Sequence, residues 1–261
     1  MAEAIVRAAL TRDVARPADL IVSDPTKSRR EVFTALGVPA IADNREVARR
    51  AKTLLLSCKP QQMKDVLTEI QADLSPDTLV VSIAAGVSTE IIRKHLLRDQ
   101  AGGGQRVVRV MPNTPLMVGE GMAAIAPGEG ATPEDVANVL RLFEVAGRVV
   151  EVREELMDAV TAVSGSGPAY FFLLTEHLAR AAEELGLDPE TAQLLARQTA
   201  LGSAVMLSKS VDSPEELRRK VTSPGGTTQA AVEHLEAANV PAIFRSAVAA
   251  AARRSRELRG A

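Results

Sequence analysis

An α/β layer followed by an all-helical region is the fold class this chain predicts, on three observations. Short, nearly continuous apolar runs recur up to Val152, each followed by a helical pattern. Strands buried on both faces and alternating with helices read this way. Beyond Val152 no strand pattern remains, and proline-started helical segments run to the end. Two domains follow: 1–152, a doubly wound α/β sheet, and 153–261, helical.

The predicted strands are Leu20–Ser23, Thr53–Ser57, Leu79–Ile83 and Val107–Met111, with helices at Arg29–Leu36, Pro60–Ala72 and Ser88–Leu97 between them. Further strands are expected at Ala123–Ala126 and Arg148–Glu151. Thr132 as cap, Pro133 at the first helical position and Asp135 in the first turn mark the helix that joins these two. Later helices are expected at Glu155–Val163, Pro168–Leu185, Pro189–Lys209, Pro214–Val221, Gln229–Ala238 and Pro241–Leu258. Asp188 and Ser213 each stand as a cap before a proline, and Ser213 with Glu216 forms a capping box. The helix from Pro189 is apolar over a wide arc: Ala192, Leu194, Leu195, Ala196, Ala200, Ala204 and Val205. A bundle this small cannot hide such a helix by itself, so a subunit interface is predicted.

Composition narrows the function classes. Hydrophobic residues make up 46% of the 261, yet aromatics only 2%, so the core must be aliphatic. A formal charge of −2 gives no electrostatic case for nucleic acid. The apolar stretches are too short to span a bilayer, so no membrane partner is expected. The basic run Arg253-Arg254-Ser255-Arg256 is read as a solvated helix face. One cysteine, Cys58, excludes an internal disulfide and fits a reducing cytoplasm, as does the lack of a charged-then-apolar signal pattern in the opening residues. His95, His177 and His234 show no metal-ligand spacing, and no metal is expected.

Two motifs carry chemistry. Val221-Thr222-Ser223-Pro224-Gly225-Gly226-Thr227-Thr228 places two glycines and two threonines at a helix start. Free amides there bind a carboxylate, and the Thr228 hydroxyl can donate or accept. The plainer alternative is a capped turn between helices. Ala162-Val163-Ser164-Gly165-Ser166-Gly167-Pro168-Ala169-Tyr170 precedes a long apolar helix.

With Ser57-Cys58-Lys59-Pro60, Ser82-Ile83-Ala84-Ala85-Gly86-Val87 and Val110-Met111-Pro112-Asn113-Thr114-Pro115, these runs resemble the pyrroline-5-carboxylate reductase family in order and spacing over nearly the whole chain. The resemblance implies a Rossmann-like sheet followed by an all-α dimerisation domain, and reduction of a cyclic imino acid to proline with NADPH or NADH. It also implies a homodimer or a larger homo-oligomer. The family opens with a strand and a glycine-rich turn that cradle the cofactor pyrophosphate. Here Met1-Ala2-Glu3-Ala4-Ile5 resembles the helix that follows that turn, so the first strand is expected to be absent. Either the start codon is assigned too late, which is favoured, or cofactor affinity is impaired.

Residue roles follow from the same resemblance. Asp24 at the end of the first predicted strand points to NAD, whereas Ser23, Thr26, Lys27 and Arg29 point to the 2′-phosphate of NADP, and NADPH is favoured. A charged helix cap is the plainer reading of that loop. Asn44 falls on the adenine side, and Cys58, Lys59 and Pro60 fall beside ribose and pyrophosphate. Cys58 is expected to be a buried strand-end thiol rather than a reactive one. Ala84, Ala85 and Gly86 leave room for the nicotinamide, with Pro112 and Asn113 on its other side. Substrate falls to Ser223, Gly225, Gly226, Thr227 and Thr228, lined by Ser164 and Ser166. The amides around Gly226, Thr227 and Thr228 take the carboxylate, and the Thr228 hydroxyl takes the ring nitrogen. By resemblance the Ser223–Thr228 loop approaches the cofactor domain of a partner subunit. Two rivals remain. One is a related reductase of 3-hydroxy acids, which would need a lysine where Ser164–Pro168 has none. The other is a non-catalytic, dimer-forming fragment.

Overall fold

Five strands form one continuous sheet and two short ones stand apart from it. The computed structural model describes residues 1–97 and 104–258, and the chain divides into two units. One unit holds Met1–Ser166 and the final stretch from Ala251; the other holds Gly167–Ala250.

The first unit opens with helix α1 (Ala2–Thr11), then β1 (Val22–Ser23), α2 (Lys27–Thr34), β2 (Ala40–Ile41) and α3 (Asn44–Arg50). The larger sheet holds β3 (Thr53–Leu56), β4 (Leu79–Ser82), β5 (Val107–Pro112), β6 (Gly121–Pro127) and β7 (Gly147–Glu151), in that order. Helices α4 (Met63–Ile70), α5 (Thr89–Leu96) and α6 (Pro133–Glu144) connect its strands. β3, β4 and β5 are parallel, as are β6 and β7, but β5 and β6 are antiparallel. The short connection 113–120, closed by Gly119 at φ 80°, is too brief for a parallel crossover, so the chain doubles back. Helix α6 supplies the length that makes β7 parallel to β6.

All six expected strands and the helices between them are present. β1 pairs only with β2, as a parallel two-stranded piece, and no described strand bridges β1 to β3. β2 and α3 lay outside the sequence reading. β2 is two residues long, and α3 buries only Val47 and Ala48 among charged neighbours. β4 is buried on both faces: Val80 packs with Leu56, Leu67 and Ile92, while Leu79 and Val81 pack with Ile5, Val110, Ile125 and Phe143. Alternate Cβ directions along the strand produce the two clusters.

The expected helix Glu155–Val163 is composite. A 3-10 turn at Glu154–Leu156 leads into α7 (Met157–Val160) and then a π-helical turn, Thr161–Gly165. The expected helix from Pro60 likewise opens with a 3-10 turn, Pro60–Gln62, before α4.

The second unit contains α8 (Gly167–Glu184), α9 (Pro189–Lys209), α10 (Pro214–Lys220), α11 (Thr227–Ala237) and the start of α12 (Val240–Leu258). The predicted caps hold: Asp188 accepts the Thr191 amide, and Ser213 and Glu216 form their reciprocal box. α8 packs on α9 around Ala179, Ala192 and Ala196. Phe171, Phe172, Leu174 and Leu194 remain more than 60% exposed.

Candidate active site

The carboxyl ends of β1, β3, β4 and β5 carry the predicted cofactor loops, as ligand sites of open parallel sheets do. At β1, the Ser23 hydroxyl donates to Asn44 Oδ1 at 2.8 Å, joining two candidates 21 positions apart in sequence. Asn44 in turn donates to Glu69 at 2.8 Å, so its amide serves the protein's own framework. Asp24 Oδ1 accepts the Thr26 amide at 2.8 Å, which turns the chain into α2. Arg30 fastens the same turn, donating to the carbonyls of Asp24 (2.7 Å) and Pro25 (2.9 Å). Arg29 lies over the Phe33 ring and donates to Glu3 at 3.1 Å. Lys27 stays exposed, 3.9 Å from Glu31.

At β3, Cys58 is half-buried with its thiol directed at the Met63 sulfur, and burial pushes its pKa up. The Lys59 amide donates to Gln62, and Pro60 begins the 3-10 turn. At β4, the Ala84 amide donates to the Ser82 hydroxyl; Ala84 is buried and Ala85 half-buried. Gly86 follows in the same loop. Its φ is +75°, and a Cβ there would lie 2.9 Å from Leu258 Cβ. The space left by its missing side chain is filled by the end of α12.

Asn113 stands beside Pro112 at the end of β5. Its side-chain amide donates to the Ser164 carbonyl at 3.1 Å and accepts the Met122 amide at 2.9 Å. It braces β6 against the π turn. The widened turn packs on β5, since a Cβ on Gly165 would overlap the Met111 methyl. Ser164 donates to the Val160 carbonyl, and the Ser166 amide donates to the Thr161 carbonyl. π turns of this kind are frequent at functional sites.

In the second unit, α11 starts at Thr227, two residues before the expected start, with Gly226 as an N-cap that has no side chain to close the helix. The Gly226 amide donates to the Ser223 carbonyl at 3.0 Å, and the Gly225 amide donates to Gln229 Oε1 at 2.7 Å. The expected amide set is therefore shifted by one: Thr227, Thr228 and Gln229 present first-turn amides without an intrahelical acceptor. Gln229 escaped the sequence reading, although a Gln at the third helical position reaching back to the loop is a recognisable signal. Two buried pairs also escaped it. Arg109, fully buried on β5, donates to Glu154 at 2.7 Å, and Ser255 donates to Asp158 at 2.7 Å. Ser255 is thus buried within the basic run, whose arginines form the expected solvated face.

The first unit is thus an α/β layer with loops gathered at its strand ends, and the second a helical unit with an uncapped, glycine-led helix start. Residues 1–86 match the family model described as NADP oxidoreductase, coenzyme F420-dependent, and residues 154–258 match that for pyrroline-5-carboxylate reductase dimerisation. The chain is 42% identical over 259 residues to a pyrroline-5-carboxylate reductase of Arabidopsis thaliana, covering 99% of this chain and 92% of that one. The solved pyrroline-5-carboxylate reductase of Coxiella burnetii superposes with a TM-score of 0.89 at 37% identity, covering 98% of this chain and 94% of that one. That of Plasmodium falciparum, with NADP bound, gives 0.85 at 29% identity, covering 98% and 92%. The chain belongs to the pyrroline-5-carboxylate reductase family.

Proposed function

We propose that this chain reduces 1-pyrroline-5-carboxylate to L-proline with a hydride from NAD(P)H, the last step of proline biosynthesis, as a cytoplasmic homodimer or higher homo-oligomer. The observation that carries the reading is the start of α11, where three successive amides stand free beside the Thr228 hydroxyl. The amides of Thr227, Thr228 and Gln229 hold the substrate carboxylate, helped by the helix dipole. The Thr228 hydroxyl hydrogen-bonds the ring nitrogen, which carries a proton in the reactive imine and keeps it in the product amine. With the carbon already electrophilic, orientation supplies most of the rate. A bound nicotinamide dinucleotide would supply the hydride.

The residues present fit that group in part. Ser23, Thr26 and Lys27 would meet the adenosine ribose, Lys59 and Pro60 the middle of the cofactor, and Ala84 and Ala85 the nicotinamide. The Asp24 carboxylate is engaged with the Thr26 amide, and Lys27 is exposed. Both support NADPH, because a free acidic group would favour NADH. Helix α1 begins at Ala2, with Met1 as an N-cap that makes no side-chain cap.

The experiment is a titration with NADPH followed by an assay with the cyclic imine. Proline formation supports the reductase. NADPH binding without proline overturns it. Failure of NADPH to bind overturns it as well.

A further inference from the structure

We propose that the last turns of α12 form a positioning element for the cofactor-side loop 84–87, with Ser255 and Leu258 as its positioning residues. The proposal rests on the reading that this loop faces the nicotinamide. The Ser255 hydroxyl donates to Asp158 Oδ1 at 2.7 Å, and the two residues are only 4% and 3% exposed. One turn later, Leu258 lies against Gly86, whose hypothetical Cβ would be 2.9 Å from Leu258 Cβ and 3.4 Å from its carbonyl carbon. Residue 86 therefore must be glycine for two separate reasons, its left-handed backbone and the helix end against it.

Ser255 and Leu258, three apart, share one face of α12, while Arg253, Arg254, Arg256 and Glu257 are exposed. A serine within such a charged run is seldom buried unless a partner holds it. Asp158 lies on α7, which continues directly into the π turn carrying Ser164. One helix face thus touches both the loop assigned to the nicotinamide and the segment leading to the substrate-side serines. A loop held from behind keeps its backbone fixed where the reacting carbons must meet, and small misplacements there lower rate steeply.

The test uses the full chain and three variants: Leu258→Ala, Ser255→Ala and Ser255→Thr, the last retaining the hydroxyl. Amide hydrogen exchange without cofactor is expected to accelerate roughly tenfold at residues 84–88 in both alanine variants, with β4 and β5 unchanged and Ser255→Thr close to the parent. In the assay, KM for NADPH is expected to rise about fivefold while KM for the imine stays put. Unchanged exchange at 84–88 in both alanine variants overturns the proposal. So does acceleration spread through β4 and β5, which would mark a general loss of stability. Exchange is read without turnover, so an inactive parent chain would count against the proposed function and leave this test decisive.

Discussion

The two units treat their apolar residues in opposite ways. In the first, β4 is closed on both faces, and Val80, Val81, Val107, Val108 and Ile125 have no exposed surface. In the second, the buried positions of α8 and α9 are small, Ala179, Ala192 and Ala196, while phenylalanines and leucines face outward. One unit completes its core from its own sequence. The other has the composition of a core and the exposure of a surface, which is what half of an obligate interface looks like. Its match to a family dimerisation model agrees with that contrast.

Breaking the contrast at its strongest point gives the largest expected effect. Replacing Phe172 and Leu194 together by aspartate places two charges on the outward apolar face. Self-association, followed by sedimentation, is expected to weaken by more than roughly 100-fold. The thermal transition of the helical unit should fall with it. Unaltered association of the variant would show that this face is not the one that assembles.

The first unit has its own exposed weakness, though it is internal. Arg109 is wholly buried, and its Nε and Nη2 have no hydrogen-bond partner among the described residues, so Glu154 carries most of its compensation. Glu154→Gln is expected to cost about 3 kcal/mol in urea denaturation, because it strands a buried charge. Adding Arg109→Met should recover most of that loss, since an apolar replacement of the pair is tolerated. A smaller effect is expected at Thr228, where alanine should lower kcat by roughly 10- to 100-fold, about 1.4–2.7 kcal/mol, with Thr228→Ser close to the parent. Stability should not change, because the hydroxyl has no partner among the described residues. Full turnover by Thr228→Ala would remove that hydroxyl from the mechanism.

The same contrast explains what the sequence made legible. Strands β3 to β5 stand out because burial on both faces leaves nearly unbroken apolar runs. The starts of α9 and α10 stand out because Asp188-Pro189 and Ser213-Pro214 combine a cap with a fixed φ. β2 and α3 left no such trace, being respectively too short and too charged. The π turn at Thr161–Gly165 adds one residue to a helix without any local signature. At the candidate site, residue types could be read but their engagements could not. Asn113 reaching Ser164, Arg29 reaching Glu3 and Leu258 filling the space at Gly86 are pairings over long sequence distances, set by tertiary packing. The loop at 223–229 was readable in kind, yet the free amides were displaced by one residue because Gly226 turns back onto Ser223.

Cys58 offers the finest test, of whether the strand ends in the first unit are as closed as the strand bodies. The thiol is half-buried against Met63, and burial raises its pKa. A raised pKa means less thiolate near pH 8, so alkylation of the folded chain should run slower than that of a free cysteine. The folded thiol holds its proton more tightly than the unfolded one. Its contribution to stability is therefore complete at neutral pH and fades as the pH rises through the folded value. Labelling should consequently keep accelerating with pH after a free thiol has levelled off, and unfolding in urea should abolish the difference. Labelling at the free-cysteine rate in the folded state would show that the end of β3 is open to solvent, and that the closed interior of this unit stops short of its loops.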